Sequence, residues 1–167
     1  MKLKNMQREI NYLKYLDTAV TFSEVPDEIS LCINITGCPN HCKGCHSQYL
    51  WEDAGEPLDL THLCDLIDAN SGITCVCLMG GDQDPPEIDY IAEEIKDYYP
   101  KLKTAWYSGK QELSKGIDLR NFNYVKLGPY IEEKGPLNSR TTNQIMLQIT
   151  VIDDKVFTKD ITSRFWK

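Results

Sequence analysis

No stretch of this 167-residue chain is apolar for long enough to cross a bilayer, which takes about 20 consecutive residues. Lys2 and Lys4 stand near its start, but no apolar segment follows them as a secretory signal requires. The protein is therefore expected in the cytoplasm, away from the membrane. No basic run with interleaved aromatics occurs, and the formal net charge is −7. An acidic chain gains nothing from counterion release, so nucleic acid is excluded as a partner. Internal repeats, low-complexity tracts and Gly/Ser linkers are all missing, which leaves one domain over 1–167. We divide it into an N-terminal extension (1–20), a core (20–152) and a C-terminal tail (153–167). Seven cysteines without a secretory signal do not make a disulfide framework and point to reduced thiols or metal.

What the chain does have is three cysteines in eight residues, Cys38-Pro39-Asn40-His41-Cys42-Lys43-Gly44-Cys45. The spacing is Cys-x3-Cys-x2-Cys, and no fourth cysteine lies close by. A structural zinc ion wants four protein ligands, whereas a 4Fe–4S cubane wants one thiolate per iron. Three thiolates leave one iron open to an outside ligand. A zinc knuckle recruiting His41 or His46 is the competing reading, although no second Cys/His pair follows downstream.

Residues 29–36 alternate apolar with small or polar side chains and read as a strand leading into the cysteine loop. A helix is expected from Pro57, with Leu60, Leu63, Cys64 and Ile67 on one face. The apolar run 73–79, ended by Gly80-Gly81-Asp82, reads as a buried strand. A second helix carries Ile88, Ile91, Ala92 and Ile95 and stops near Pro100. Strands are expected at 103–107 and 122–127, with a short helix at 111–115 between them. Residues 145–152 and 155–158 form a hairpin across Asp153-Asp154. This βαβ rhythm gives an α/β fold with mostly parallel strands, and a full eight-fold barrel needs about 250 residues. An open, partial β/α barrel is the expectation. The cysteine loop, Gly80-Gly81-Asp82, Ser108-Gly109 and Gly128-Pro129 should then gather at the carboxyl ends of the strands. Cys32, Cys64, Cys75 and Cys77 read as small buried hydrophobes. Trp106 reads as packing, His41 and His62 as structural or solvated, and Lys126 as pointing outward from its strand.

The cysteine loop followed by a Gly-Gly-acid turn resembles the radical S-adenosylmethionine superfamily. More narrowly, residues 37–46 are similar to the anaerobic ribonucleoside-triphosphate reductase activating proteins. The likeness continues through Trp51, Gly80-Gly81-Asp82, Trp106-Tyr107-Ser108-Gly109, Gly128-Pro129-Tyr130 and Thr141-Thr142-Asn143-Gln144. It implies a radical S-adenosylmethionine barrel in which Cys38, Cys42 and Cys45 ligate a 4Fe–4S cluster. S-adenosylmethionine would contact Gly44, Cys45, His46, Gly80, Gly81, Asp82 and Ser108, with the Gly-Gly-Asp turn at its amino group. The implied activity is reductive cleavage of S-adenosylmethionine and formation of a glycyl radical on the large reductase subunit. The electron would come from a donor such as a flavodoxin. Activation of another glycyl-radical enzyme, small-molecule radical chemistry and a zinc or Fe–S binding module remain the alternatives.

Overall fold

The computed structural model describes residues 11–166. Eight strands form one sheet: β1 (Lys14–Thr21), β2 (Ser30–Ile35), β3 (Glu56–Pro57), β4 (Cys75–Met79), β5 (Lys103–Tyr107), β6 (Tyr124–Leu127), β7 (Ile145–Ile152) and β8 (Lys155–Asp160). Their order is β3-β1-β2-β4-β5-β6-β7-β8, and the end strands do not meet, so the sheet is open. The strands β2, β4, β5 and β6 run parallel. The outer pairings, β1 with β2 and β3 and β7 with β6 and β8, are antiparallel. The fold is α/β as expected, but the sheet is mixed rather than mostly parallel. A parallel centre needs crossovers, whereas the flanking hairpins need only turns.

Two helices, α1 (Leu60–Asp68) and α2 (Pro85–Tyr98), provide the first two crossovers. Helix α1 begins after Pro57, which belongs to β3; the side chain of Asp59 caps it by accepting the amide of His62 at 2.8 Å. Asp84 caps α2, whose Pro85 occupies a first-turn position where no intrahelical donor is lost. Both helices cover one face of the sheet, where Leu63, Ile67, Ile88, Ile91 and Ile95 pack on Leu31, Ile33, Val76, Leu78, Trp106 and Val125. The third crossover carries no helix at 111–115, only a 3-10 turn at Leu119–Asn121. Five residues followed directly by Gly116 cannot recover the cost of nucleating a helix.

The other face is also covered. Cys32, Cys75, Cys77, Ala105, Tyr124 and Met146 pack there under Val25, Leu137 and Ile161 from loops. The small residues alternating along β2 and β4 therefore face a second core, and three of the four cysteines outside the loop are buried hydrophobes. Burial pushes the Cys75 thiol up to about 12. The fourth, Cys64, is half-buried on α1.

Of the extension 1–20, residues 1–10 lie outside those described. Residues 14–20 belong to β1, paired along β2, so the boundary drawn at residue 20 passes through a strand. The β7–β8 hairpin forms as expected, with Asp153 and Asp154 both at positive φ (50° and 63°), the left-handed pair that matches strand twist. No described helix is long and apolar enough to cross a membrane.

Candidate metal and cofactor site

The four strand exits do meet at one end of the sheet. The cysteine loop follows β2, and its ends are held together by backbone bonds. The Cys38 amide donates to Leu50 O (3.1 Å) and that of Gly37 to Glu52 O (3.1 Å). Thr36 Oγ1 donates to Ala54 O (2.6 Å), and Gln83 Nε2 to Thr36 O (2.6 Å). Inside this clasp the Cys45 amide turns back to Cys42 O (3.1 Å). Cys38, Cys42 and Cys45 are all unpaired and half-exposed. The amide of Ser47 donates to Cys45 Sγ at 3.4 Å, a contact that stabilises a thiolate. Gly44 sits at φ +75°, and a Cβ there would lie 3.2 Å from Glu132 Cδ and 3.4 Å from Tyr130 Cε1. The tight approach at Gly44 is thus made by the 128–134 segment of the same chain.

Three observations test whether this loop fits an iron–sulfur cluster. Thiolates around one zinc ion at about 2.3 Å must stand within about 3.8 Å of each other. Among the described residues no three His, Cys, Asp or Glu side chains form a group poised to hold a single metal ion. Three half-exposed thiols in one loop offer one ligand to each of three irons of a cubane. The second observation is the Ser47 donor already aimed at a ligand sulfur. The third is Trp51, whose indole stacks on His41 (centroids 4.4 Å apart, 12° between planes). Its buried Nε1–H has no acceptor. The stack braces the loop between Cys38 and Cys42.

Asp82 ties the loop to the sheet. Only 8% exposed, its carboxylate accepts from Asn40 Nδ2 (2.7 Å), Ser108 Oγ (2.5 Å) and the Gly109 amide (2.7 Å). Asn40 comes from between Cys38 and Cys42, while Ser108 and Gly109 come from the exit of β5. The approach depends on Gly80 and Gly81, at φ +107° and +92°. A Cβ on Gly81 would stand 2.4 Å from Ile88 Cδ1 on α2. Trp106 is fully buried and donates its indole proton to Gly80 O at 2.7 Å, fixing the same turn from β5. Asp82→Ala removes three hydrogen bonds to a buried carboxylate and strands their donors. We expect a loss of about 3 kcal/mol or more of stability in urea unfolding of the apoprotein, with partial recovery in Asp82→Asn.

Beside the loop lies a cavity of about 440 Å³, within the range of small-molecule sites. Its wall includes Cys45 and His46 from the loop, Met79 and Tyr107 from the ends of β4 and β5, and Lys126 from β6. Lys126 does not point outward. It is 7% exposed and donates to Ser108 O (3.1 Å) and Gly128 O (2.7 Å), with its ammonium 5.9 Å from the centre of the Tyr107 ring. Burial lowers its pKa to about 8, although Asp82 and the loop cysteines Cys42 and Cys38 pull the other way. No carboxylate lies within ion-pairing distance of it among the described residues. Tyr107 is anchored through its hydroxyl to Glu24 O, and burial raises its pKa.

Of the residues expected to touch a cofactor, Cys45 and His46 border the cavity, and His46 lies 5.7 Å from the Tyr130 ring. Gly44 flanks them on the loop. Gly80, Gly81, Asp82 and Ser108 form a support behind the wall. Ser108, 1% exposed, spends its hydroxyl on Asp82 and on the Lys110 amide (3.1 Å). His41 is used in stacking, and His62 bonds the Asp59 cap, which raises its pKa. Asn143 of the 141–144 segment donates to Pro129 O (2.9 Å), and Gln144 reaches the cavity wall. Sequence reasoning assigned neither Met79 nor Tyr107 to the site, and for Lys126 it preferred an outward direction to a contact with the cofactor carboxylate; a lysine inside an apolar strand was the one available signal.

Comparisons with curated proteins and with solved structures gave no match. The family model described as "4Fe-4S single cluster domain" matches residues 29–127. That span opens one residue before β2 and closes with the last residue of β6, so it takes in the parallel centre, the cysteine loop and the turns after β4 and β5. With more than half of its length matched and a thiol loop that fits the cluster, this chain belongs to the 4Fe-4S single cluster domain family.

Proposed function

We propose that the chain is a radical S-adenosylmethionine activase that generates a glycyl radical on the large subunit of anaerobic ribonucleoside-triphosphate reductase. The observation that carries this reading is a three-thiol loop sharing one cavity with a buried ammonium that lacks a carboxylate partner. Bound at Cys38, Cys42 and Cys45, a 4Fe–4S cluster supplies one electron for cleaving the sulfonium of S-adenosylmethionine. The chain's own residues bind and orient. Lys126 offers a charge-assisted hydrogen bond to the methionyl carboxylate. Tyr107 and Met79 furnish apolar wall, and His46 with Tyr130 borders the nucleoside side. Asp82, Ser108 and Asn40 keep the thiol loop at a fixed height above the strand ends.

The cavity mouth is framed by loops rather than by further strands and helices, which suits a macromolecular substrate that inserts its own segment. A flavodoxin-type donor would supply the electron. Anaerobic reconstitution tests the whole reading. The loaded protein should release 5′-deoxyadenosine on reduction with S-adenosylmethionine, and co-incubated reductase should acquire a glycyl-radical resonance. Loaded protein that leaves S-adenosylmethionine intact is a binding module. Cleavage without a radical on this reductase points to a different glycyl-radical partner.

A further inference from the structure

The residues lining the cavity beside the cysteine loop include one carboxylate, Glu24, and one ammonium, Lys126. Lys126 suits the methionyl carboxylate of S-adenosylmethionine. The same ligand also carries two positive charges, its α-ammonium and its sulfonium. Acceptors in the Gly-Gly-Asp turn are already engaged within the chain. Gly80 O accepts the Trp106 indole, Gly81 O accepts the Asp84 amide (3.1 Å), and the Asp82 carboxylate accepts from Asn40, Ser108 and Gly109. Glu24 is different. It follows β1 in the segment that crosses the second face of the sheet, where Val25 is fully buried in that core. Its carbonyl accepts the Tyr107 hydroxyl, so the backbone is pinned at this point. The side chain, by contrast, is half-buried and pairs with no cation among the described residues. Its charge lies near the Tyr107 hydroxyl, whose pKa is raised by burial first and by Cys77 and Glu24 after it. Tyr107 thus has both charges for neighbours, since the Lys126 ammonium stands 5.9 Å from its ring centre. A fixed carboxylate without a counter-charge, facing a partly enclosed cavity, favours a ligand that brings a cation.

We infer that Glu24 holds the cationic side of bound S-adenosylmethionine, as Lys126 holds its carboxylate. An α-ammonium would take charge-assisted hydrogen bonds from Glu24, and a sulfonium, which has no N–H, Coulomb attraction alone. Either way the two side chains select for a ligand of mixed charge. A neutral nucleoside leaves both of them unpaired, and a purely anionic ligand is repelled by Glu24. Glu24 is a positioning and specificity residue, set at its height by the bond between its backbone and Tyr107. The inference rests on reading this cavity as the S-adenosylmethionine site.

The test is titration calorimetry on anaerobically reconstituted protein, with the cluster left oxidised so that nothing turns over. Glu24→Gln keeps the size of the side chain and the backbone bond to Tyr107, and removes the charge. Its dissociation constant for S-adenosylmethionine should rise about tenfold, the worth of a hydrogen bond to a charged group. Decarboxylated S-adenosylmethionine retains both cations and should lose as much. S-adenosylhomocysteine lacks the sulfonium, and deaminated S-adenosylmethionine lacks the ammonium. The charge that Glu24 meets is the one whose absence makes variant and wild type bind alike. Unchanged affinity of the variant for S-adenosylmethionine overturns the inference. So does a loss of full size with both S-adenosylhomocysteine and the deaminated ligand, because it then follows neither charge. Should Glu24→Gln fail to fold, Glu24→Asp answers instead: it withdraws the charge by one methylene, and its loss should follow the same cation. A wild-type protein that binds none of these ligands overturns the reading of the cavity itself, and this inference with it.

Discussion

Serine in place of Cys38, Cys42 or Cys45 is expected to remove the visible sulfide-to-iron absorbance and lower bound iron severalfold. Reductive release of deoxyadenosine should fall to the background of protein-free controls. The effect is all-or-none because the loop holds three half-exposed thiols and no spare. Of the remaining cysteines, Cys32, Cys75 and Cys77 are locked in the sheet's second core and Cys64 lies on α1. The apoprotein should unfold in urea at nearly the same midpoint in all three variants. Loop geometry is set by bonds to Leu50, Glu52, Ala54 and Asp82 rather than by the thiols. A variant that keeps both its iron and its turnover would overturn the ligand assignment.

Lys126→Met is expected to weaken S-adenosylmethionine binding by about 10- to 100-fold, the worth of a hydrogen bond to a charged group. Affinity for decarboxylated S-adenosylmethionine should hardly change, and titration calorimetry with both ligands separates the carboxylate contact from a general loss of structure. The pH dependence has two opposite slopes. With a folded pKa of about 8 against an ordinary 10.5, the unfolded chain binds the extra proton between these values. Stability of the apoprotein through this group therefore rises with pH across that window and is lowest, by about 3 kcal/mol, below it. Ligand affinity runs the other way: flat below about pH 8 and falling above it as the ammonium is lost. Methionine should abolish both slopes. It also leaves Ser108 O and Gly128 O without a donor, so the stability gained at neutral pH stays well short of the full penalty.

The centre of the fold was legible because its signals are local. Alternation marked β2, an apolar run cut off by two glycines marked β4, and the Asp153-Asp154 pair marked the β7–β8 turn. β1 escaped notice because its apolar residues Leu16 and Val20 are exposed, so its pattern resembles no buried face. β3 has two residues and hence no period to detect. In the site, spacing alone identified the cysteine loop. The Gly-Gly-Asp turn was expected at the cofactor's amino group; what the sequence did not show is that the Asp82 carboxylate also accepts from Asn40, Ser108 and Gly109. Those partners lie 42, 26 and 27 positions away, where no local rule reaches. Lys126 misled for a related reason. A polar residue between valine and leucine reads as facing water, yet the face opposite the helices is sealed below by Tyr124 and opens only at the strand ends. Periodicity assigns a face; it does not say what covers that face at each height.

The clasp around the thiol loop also bears on repair. Because Thr36, Gly37, Cys38, Asn40 and Gln83 fasten the loop through bonds that involve no sulfur, its outline does not depend on bonds to iron. A chain stripped of iron by oxygen need not unfold to be refilled. Delivery of iron and sulfide, with the thiols reduced, then suffices to return it to service, and one polypeptide can outlive many of its inorganic hearts.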